Sequence, residues 1–266
     1  MSKTWFITGT SSGLGNIMMK KLLQRGDRVF ATLRNVALLN ELQQQYPDTL
    51  KTAHLELTDK NEIQSVVAEA FKSFGRIDVV VSNAGYGVFG AVEELTDDMI
   101  VHQLDVNLLG SIRLIKEVIP YFRTQANGGH IIQVSSEGGQ IAYPGFSLYH
   151  TSKWGIEGFV ESISQDLAPF QIHFTLAEPG PTGTEFAASI RMATAMEAYT
   201  HTGVQEMRDY INEGFGQLDD AGEVADKIIA SHDMQKPPLR LAIGTRAKGA
   251  ITQRLRERLH AMEQEG

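Results

Sequence analysis

Seven short apolar runs divide this chain: Thr4–Thr8, Arg28–Leu33, Thr52–Leu57, Asp78–Ser82, His130–Ser135, Ile172–Ala177 and Leu239–Ile243. Between them lie longer stretches with helical spacing of apolar residues, at Leu14–Arg25, Ala37–Gln45, Asn61–Phe74, Asp97–Arg123, Tyr149–Leu167 and Ala221–Ser231. Strands joined through a helix must run parallel, and a parallel sheet hides both faces under its crossover helices. The alternation therefore predicts an α/β fold, a doubly wound parallel sheet of about seven strands with helices on both faces. No Pro/Gly/Ser-rich linker interrupts it, so a single domain over residues 1–266 is expected. Two stretches stand outside the pattern. Residues 184–218 carry Met192, Met196, Tyr199, Met207, Tyr210 and Phe215 but no strand pattern. A segment of that length in a compact domain reads as a substrate lid with short helices of its own. Residues 248–264 read as a charged C-terminal helix, either a solvated surface or a subunit or lid contact.

The formal net charge of −8 argues against nucleic acid as a partner, because phosphate-binding surfaces need an excess of lysine and arginine. There is no cysteine, which excludes disulfides, thiolate zinc sites and a cysteine nucleophile. The eight histidines show no HExxH or paired metal spacing, and no metal is expected. No apolar stretch is long enough for a signal core or a membrane span, so the expectation is a cytoplasmic protein with no membrane partner.

The first run leads into Thr8-Gly9-Thr10-Ser11-Ser12-Gly13-Leu14-Gly15, which opens the first helix. A strand that turns there, brings its backbone against a pyrophosphate and offers helix N–H groups to the anion needs glycine at the close approaches. The spacing is GxxxGxG, which differs from the GxGxxG dinucleotide fingerprint. It resembles the TGxxxGxG turn of the short-chain dehydrogenases/reductases, a family with a single Rossmann-type domain. Further matches follow in order. Asn83-Ala84-Gly85 resembles the family's NAG motif beside the adenine and ribose, and Asn107 the asparagine of its central helix. Ser136, Tyr149 and Lys153 match the catalytic trio; Pro179-Gly180, with Thr182 and Thr184, matches the turn that holds the nicotinamide carboxamide. The resemblance implies cofactor contacts from Gly9, Ser11, Ser12, Gly13, Leu14, Gly15, Tyr149 and Lys153 as well.

An acidic residue at the end of the second strand binds the ribose hydroxyls of NAD, whereas an arginine nearby suits a 2′-phosphate. Here Leu33 stands in the acidic position and Arg34 follows it. Arg34 can pair with a phosphate through two donors and Ser11 can add a hydroxyl, which points to NADP(H). The same Ala-Thr-Leu-Arg string accompanies NADP(H) in the hydroxysteroid-dehydrogenase-like members that the chain resembles. At the adenine edge Glu56 stands where the family usually has aspartate, with Leu57 beside it as a cofactor contact and Asp59 as an alternative.

Tyr149 and Lys153 are four residues apart and share a helix face. A tyrosine titrates near 10, too high for neutral-pH base chemistry, and an adjacent ammonium is expected to lower it. Such a pair can give a proton to a carbonyl oxygen and take it back in reverse. Ser136, at a strand end, can stabilise charge developing on that oxygen; Ser135 is the local alternative. By resemblance, Asn107 would order a water that relays protons to Lys153. His150 is expected to pack. The expected activity is hydride transfer between NADP(H) and an alcohol/ketone pair, with a small-molecule hydrophobic carbonyl or secondary alcohol as substrate. By resemblance a homodimer or homotetramer is expected. A non-catalytic NADP(H) sensor, or a scaffold of the same fold, is the alternative.

Overall fold

The computed structural model describes residues 2–264; Met1, Glu265 and Gly266, the ends of the expected domain, lie outside the described residues. The large sheet contains β1 (Thr4–Thr8), β2 (Arg28–Leu33), β3 (Leu50–His54), β4 (Val79–Ser82), β6 (Gly129–Val134), β7 (Ile172–Pro179) and β9 (Arg240–Ile243). They lie in the order β3-β2-β1-β4-β6-β7-β9, and every pairing is parallel. The order reverses between β1 and β4, which is where an open α/β sheet forms its ligand crevice.

Alternate strand residues face opposite layers, as the twofold side-chain period requires. Phe6, Phe30, Val80 and Ile131 pack under α3 (Lys60–Phe74), α5 (Ser111–Thr124) and α6 (Ser147–Leu167). Trp5, Ile7, Val29 and Val81 pack under α1 (Gly13–Arg25) and α8 (Ala221–Asp233). These strands are β-branched or aromatic and buried on both faces, which is why they read as continuous apolar runs rather than alternating ones.

Four expectations shift. The third strand runs over Leu50–His54, earlier than Thr52–Leu57, because its register with β2 ends at Leu33↔His54. Leu55 and Leu57 are still buried, so the apolar alternation continues beyond the last ladder pair. The second helix opens as a 3₁₀ turn (Val36–Leu39), and only α2 (Asn40–Gln45) is α-helical. The expected helix Asp97–Arg123 is α4 (Asp97–Leu104) and α5 separated by a π-helical stretch, Asp105–Gly110. Residues 184–218, read as free of strand, contain β8 (Arg191–Met192), which pairs in parallel with β5 (Val88–Phe89), and α7 (Gly203–Asn212). The last helix, α9, spans Thr245–Gln264. No helix among the described residues is long and apolar enough to cross a membrane.

Candidate active site

The parallel strands end along one edge of the sheet, and a cavity of about 1020 Å³ opens there. Its β1 end is the glycine turn. Gly9 has φ +73°, and a Cβ on it would lie 2.8 Å from the Ala84 Cα; a Cβ on Gly15 would lie 2.3 Å from the Gly9 carbonyl oxygen. Only glycine lets this backbone close so tightly on the helix start, and it leaves the unpaired first N–H groups of α1 at the cavity wall. Ser11, Ser12, Gly13 and Leu14 line that wall, while buried Gly15 supports the turn from behind. Ser12 precedes α1 without spending its hydroxyl on a cap. Asn83, Ala84 and Gly85 line the same end. Their part is also structural: Asn83 Nδ2 donates to the carbonyls of Thr8 (2.9 Å) and Gly9 (3.2 Å), strapping β4 to the turn.

Arg34, exposed, and Leu33, buried, lie at the outer rim with Glu56 and Leu57. Asp59 does not share this role. Its carboxylate accepts the Asn61 and Glu62 N–H groups and caps α3.

At the other end Ser136, Tyr149 and Lys153 come together. Ser136 follows β6, and Tyr149 and Lys153 share the cavity face of α6. Lys153 Nζ donates to the Val134 carbonyl (3.0 Å) and lies 5.6 Å from the centre of the Tyr149 ring. The choice between the serines is visible in their bonds. Ser135 donates to Glu157 Oε1 (2.5 Å), whereas the Ser136 hydroxyl accepts the Gly138 N–H (3.0 Å) and stands within hydrogen-bonding reach of Tyr149. Pro179, Gly180, Thr182 and Thr184 complete this end, with Thr182 donating to the Gly180 carbonyl (2.9 Å).

Asn107 lies in the π-helical stretch but behind the cavity wall. Its Nδ2 donates to the Tyr86 carbonyl (2.8 Å), and its Oδ1 accepts the Tyr86 N–H (3.1 Å). Its Nδ2 also reaches Ser152 Oγ (3.4 Å), so the side chain braces the segment after Gly85. His150 packs: it accepts the Tyr143 N–H (2.9 Å) on Nε2 and places Nδ1 2.8 Å from the Gly138 carbonyl.

Burial decides the titrations. It pushes Tyr149 up to about 12, with Ser136 acting in the opposite sense and the Glu137 and Glu157 charges reinforcing it. Lys153 is brought down to about 8 by burial, against the pull of Glu157. The phenol thus stands above its ordinary value in the chain by itself, not below it as expected, because desolvation of the phenolate outweighs the Ser136 hydrogen bond. A phenol held protonated is a proton donor.

Sequence reasoning missed Glu137, Tyr143, Phe146, Phe186 and Arg246 but placed Met207, Tyr210 and Phe215 in the expected lid. Glu137, Tyr143 and Phe146 surround the Ser/Tyr pair, and Phe186, Met207, Tyr210, Phe215 and Arg246 form the roof. Glu137 was detectable as the residue after Ser136. Four of the roof residues lie within residues 184–218, and Arg246 joins them from the last helix.

A helix-fronted glycine turn at one end and a Ser/Tyr/Lys group at the other define an oxidoreductase of the nucleotide-binding α/β class. The sequence model of the short chain dehydrogenases matches residues 3–195, and the chain belongs to that family. It is 37% identical over 247 residues to oxidoreductase BOA17 of Botryotinia fuckeliana, covering 92% of this chain and 89% of that one. It is 32% identical over 193 residues to human 17-beta-hydroxysteroid dehydrogenase type 1, covering 69% of this chain and 58% of that one. The crystal structure of a short-chain dehydrogenase from Streptomyces avermitilis superposes with a TM-score of 0.92 at 31% identity, covering 100% of this chain and 97% of that one.

Proposed function

We propose that this chain is an NADP(H)-dependent reductase/dehydrogenase acting on a hydrophobic ketone or the matching secondary alcohol. One observation carries the reading: Ser136, Tyr149 and Lys153 meet in the same cavity whose far rim holds Arg34 beyond the glycine turn. The cradle fits a dinucleotide, since the tight Gly9–Gly15 turn presents the free Ser12 hydroxyl and the α1 N–H groups, which suit a pyrophosphate. Arg34 binds the 2′-phosphate, and Leu33 removes the carboxylate that would repel it. When bound, the nicotinamide supplies or accepts the hydride.

The chain's own residues handle the proton. In reduction the Tyr149 hydroxyl gives its proton to the substrate oxygen as carbon accepts hydride; in oxidation the phenolate takes it back. Ser136 donates a hydrogen bond to the same oxygen and stabilises the charge developing on it. Lys153, held by the Val134 carbonyl, supplies positive charge beside the phenol. Phe146, Phe186, Met207 and Phe215 exclude water from the reacting centre.

The test is NADPH oxidation over a panel of ketones, followed by single-turnover hydride transfer in Tyr149→Phe. The ring's packing on Phe186 (5.6 Å between centres) survives that change, so the protein should fold and bind NADPH but transfer no hydride. Transfer at the unaltered rate by folded Tyr149→Phe would show that this hydroxyl is not the acid.

A further inference from the structure

Glu137 directly follows Ser136 and lines the same cavity. The residue is only 3% exposed. Its Oε1 accepts the Tyr143 hydroxyl (3.0 Å), but its Oε2 is buried with no hydrogen-bonding partner among the described residues. Oε2 lies against the Pro179–Gly180 turn, 3.3 Å from where a Gly180 Cβ would stand. The cation in the neighbourhood, Arg246, donates to the Tyr210 hydroxyl (2.9 Å) and acts on Glu137 through its charge, with no ion pair between them among the described residues. Buried carboxylate oxygens are ordinarily paired, because desolvation without a partner is costly. Support of Tyr143 does not explain a carboxylate here, since one oxygen suffices for that bond and an amide would supply it.

We propose that Glu137 Oε2 receives a hydrogen-bond donor, a hydroxyl or an ammonium, that the substrate carries close to its reacting carbonyl. The substrate class is then hydrophobic ketones with a donor group a few bonds from the carbonyl, together with the corresponding alcohols. The closeness follows from the chain: Ser136 and Glu137 are neighbours, with Cα atoms about 3.8 Å apart. The Glu137 charge also acts on the Tyr149 hydroxyl, which places the carboxylate within electrostatic reach of the reacting atoms. This inference rests on the active-site reading above.

The experiment compares kcat/KM for NADPH-dependent reduction of 2-nonanone, 3-hydroxy-2-nonanone and 4-hydroxy-2-nonanone with that of the corresponding amino ketones. The unaltered protein should prefer at least one donor-bearing compound over 2-nonanone by about 10- to 100-fold, the scale of a hydrogen bond to a charged group. Preference for the hydroxyl or the amine identifies the donor. In both Glu137→Gln and Glu137→Leu that ratio should fall toward one, while thermal unfolding and NADPH binding stay unaltered. The near-isosteric Gln variant guards against a packing defect in the Leu variant. A preference that survives both changes, or no preference at all among reduced ketones, overturns the Glu137 assignment alone. If no member of the panel is reduced, or if folded Tyr149→Phe reduces them, the active-site reading fails and this inference falls with it.

Discussion

Cutting the Glu94–Arg208 pair should release the segment that roofs the cavity. Glu94 lies in the turn after β5, and Arg208 lies on α7, within residues 184–218. Arg208 Nη2 donates to Glu94 Oε2 at 2.6 Å, with side-chain exposures of 11% and 0%. The same carboxylate accepts the N–H groups of Ala91 and Met196, both at 2.8 Å, and Arg208 Nη1 donates to the Ala193 carbonyl (3.2 Å). The guanidinium also stands 5.1 Å from the centre of the Phe89 ring. Glu94→Ala would leave a buried cation without its carboxylate and the Ala91 and Met196 N–H groups without their acceptor. Breaking such a pair from one side costs about 3–5 kcal/mol. At about 1.4 kcal/mol per factor of ten, that corresponds to about a hundredfold to a few thousandfold more of the open segment. Limited proteolysis read by mass spectrometry should show cleavage within residues 184–218 faster by that factor, since proteases report the population of locally opened states. The urea midpoint should fall less, because the strands and helices of the main sheet do not depend on this contact. Burial pushes Glu94 up, but the Met196 and Ala91 N–H groups and Arg208 outweigh it and hold the carboxyl below its ordinary value. A depressed carboxyl contributes stability above its unfolded value and loses it as pH falls through the folded one, so the latch should loosen in acid. Cleavage in Glu94→Ala within tenfold of the unaltered protein would refute the reasoning.

Three further outcomes follow from the site. NADP(H) should bind much better than NAD(H), with Arg34→Ala weakening chiefly NADP(H) and Leu33→Asp moving preference toward NAD(H); equal affinities in the unaltered protein would exclude the role given to Arg34. Reduction should hold up to about pH 8 and decline above it, because Lys153, brought down to about 8, loses its charge there while Tyr149 stays protonated. Oxidation should keep rising through the alkaline range, and a reduction rate that stays flat to pH 10 would count against Lys153. Ser136→Ala should slow hydride transfer by about 10²–10³, the usual loss for one oxyanion donor, as measured in single turnover.

The layered sheet was legible because its central strands, buried on both faces, leave an unmistakable apolar rhythm. Its boundaries moved where burial outran pairing, as at Leu55 and Leu57. The π-helical stretch at Asp105–Gly110 was not legible, since one widened turn barely disturbs a 3.6-residue period over so long a helix. Nor was β8, whose two residues make a strand only because Val88 and Phe89 lie beside them. Of the site, the residues on the strand ends and on α6 could be found by spacing. The sign of the Tyr149 shift could not, because it depends on burial among Phe146 and Phe186, side chains brought from separate segments.

The same limit hides what holds the catalytic group in place. Glu157, one helical turn beyond Lys153, accepts Ser135 Oγ (2.5 Å), Gln140 Nε2 (3.0 Å) and Arg240 Nη1 (2.6 Å). Glu178, just before Pro179, accepts Gln140 Nε2 (3.1 Å) and Arg240 Nη1 (2.8 Å). Two carboxylates, each 2% exposed, thus share one guanidinium and one amide, and burial raises the titration of both. Buried carboxylates are tolerated when their partners are in place. The arrangement joins the serine turn, the Tyr149–Lys153 helix and the Pro179–Gly180 turn, three segments that must keep their spacing for a proton and a hydride to reach the same carbonyl. A Cβ on Gly139 would lie 2.9 Å from Glu157 Oε2, so the turn after Ser136 is packed directly on this network. The polar contacts beneath the reacting centre share no residue with the Glu94–Arg208 pair that ties down residues 184–218, so a change that cuts one should leave the other in place.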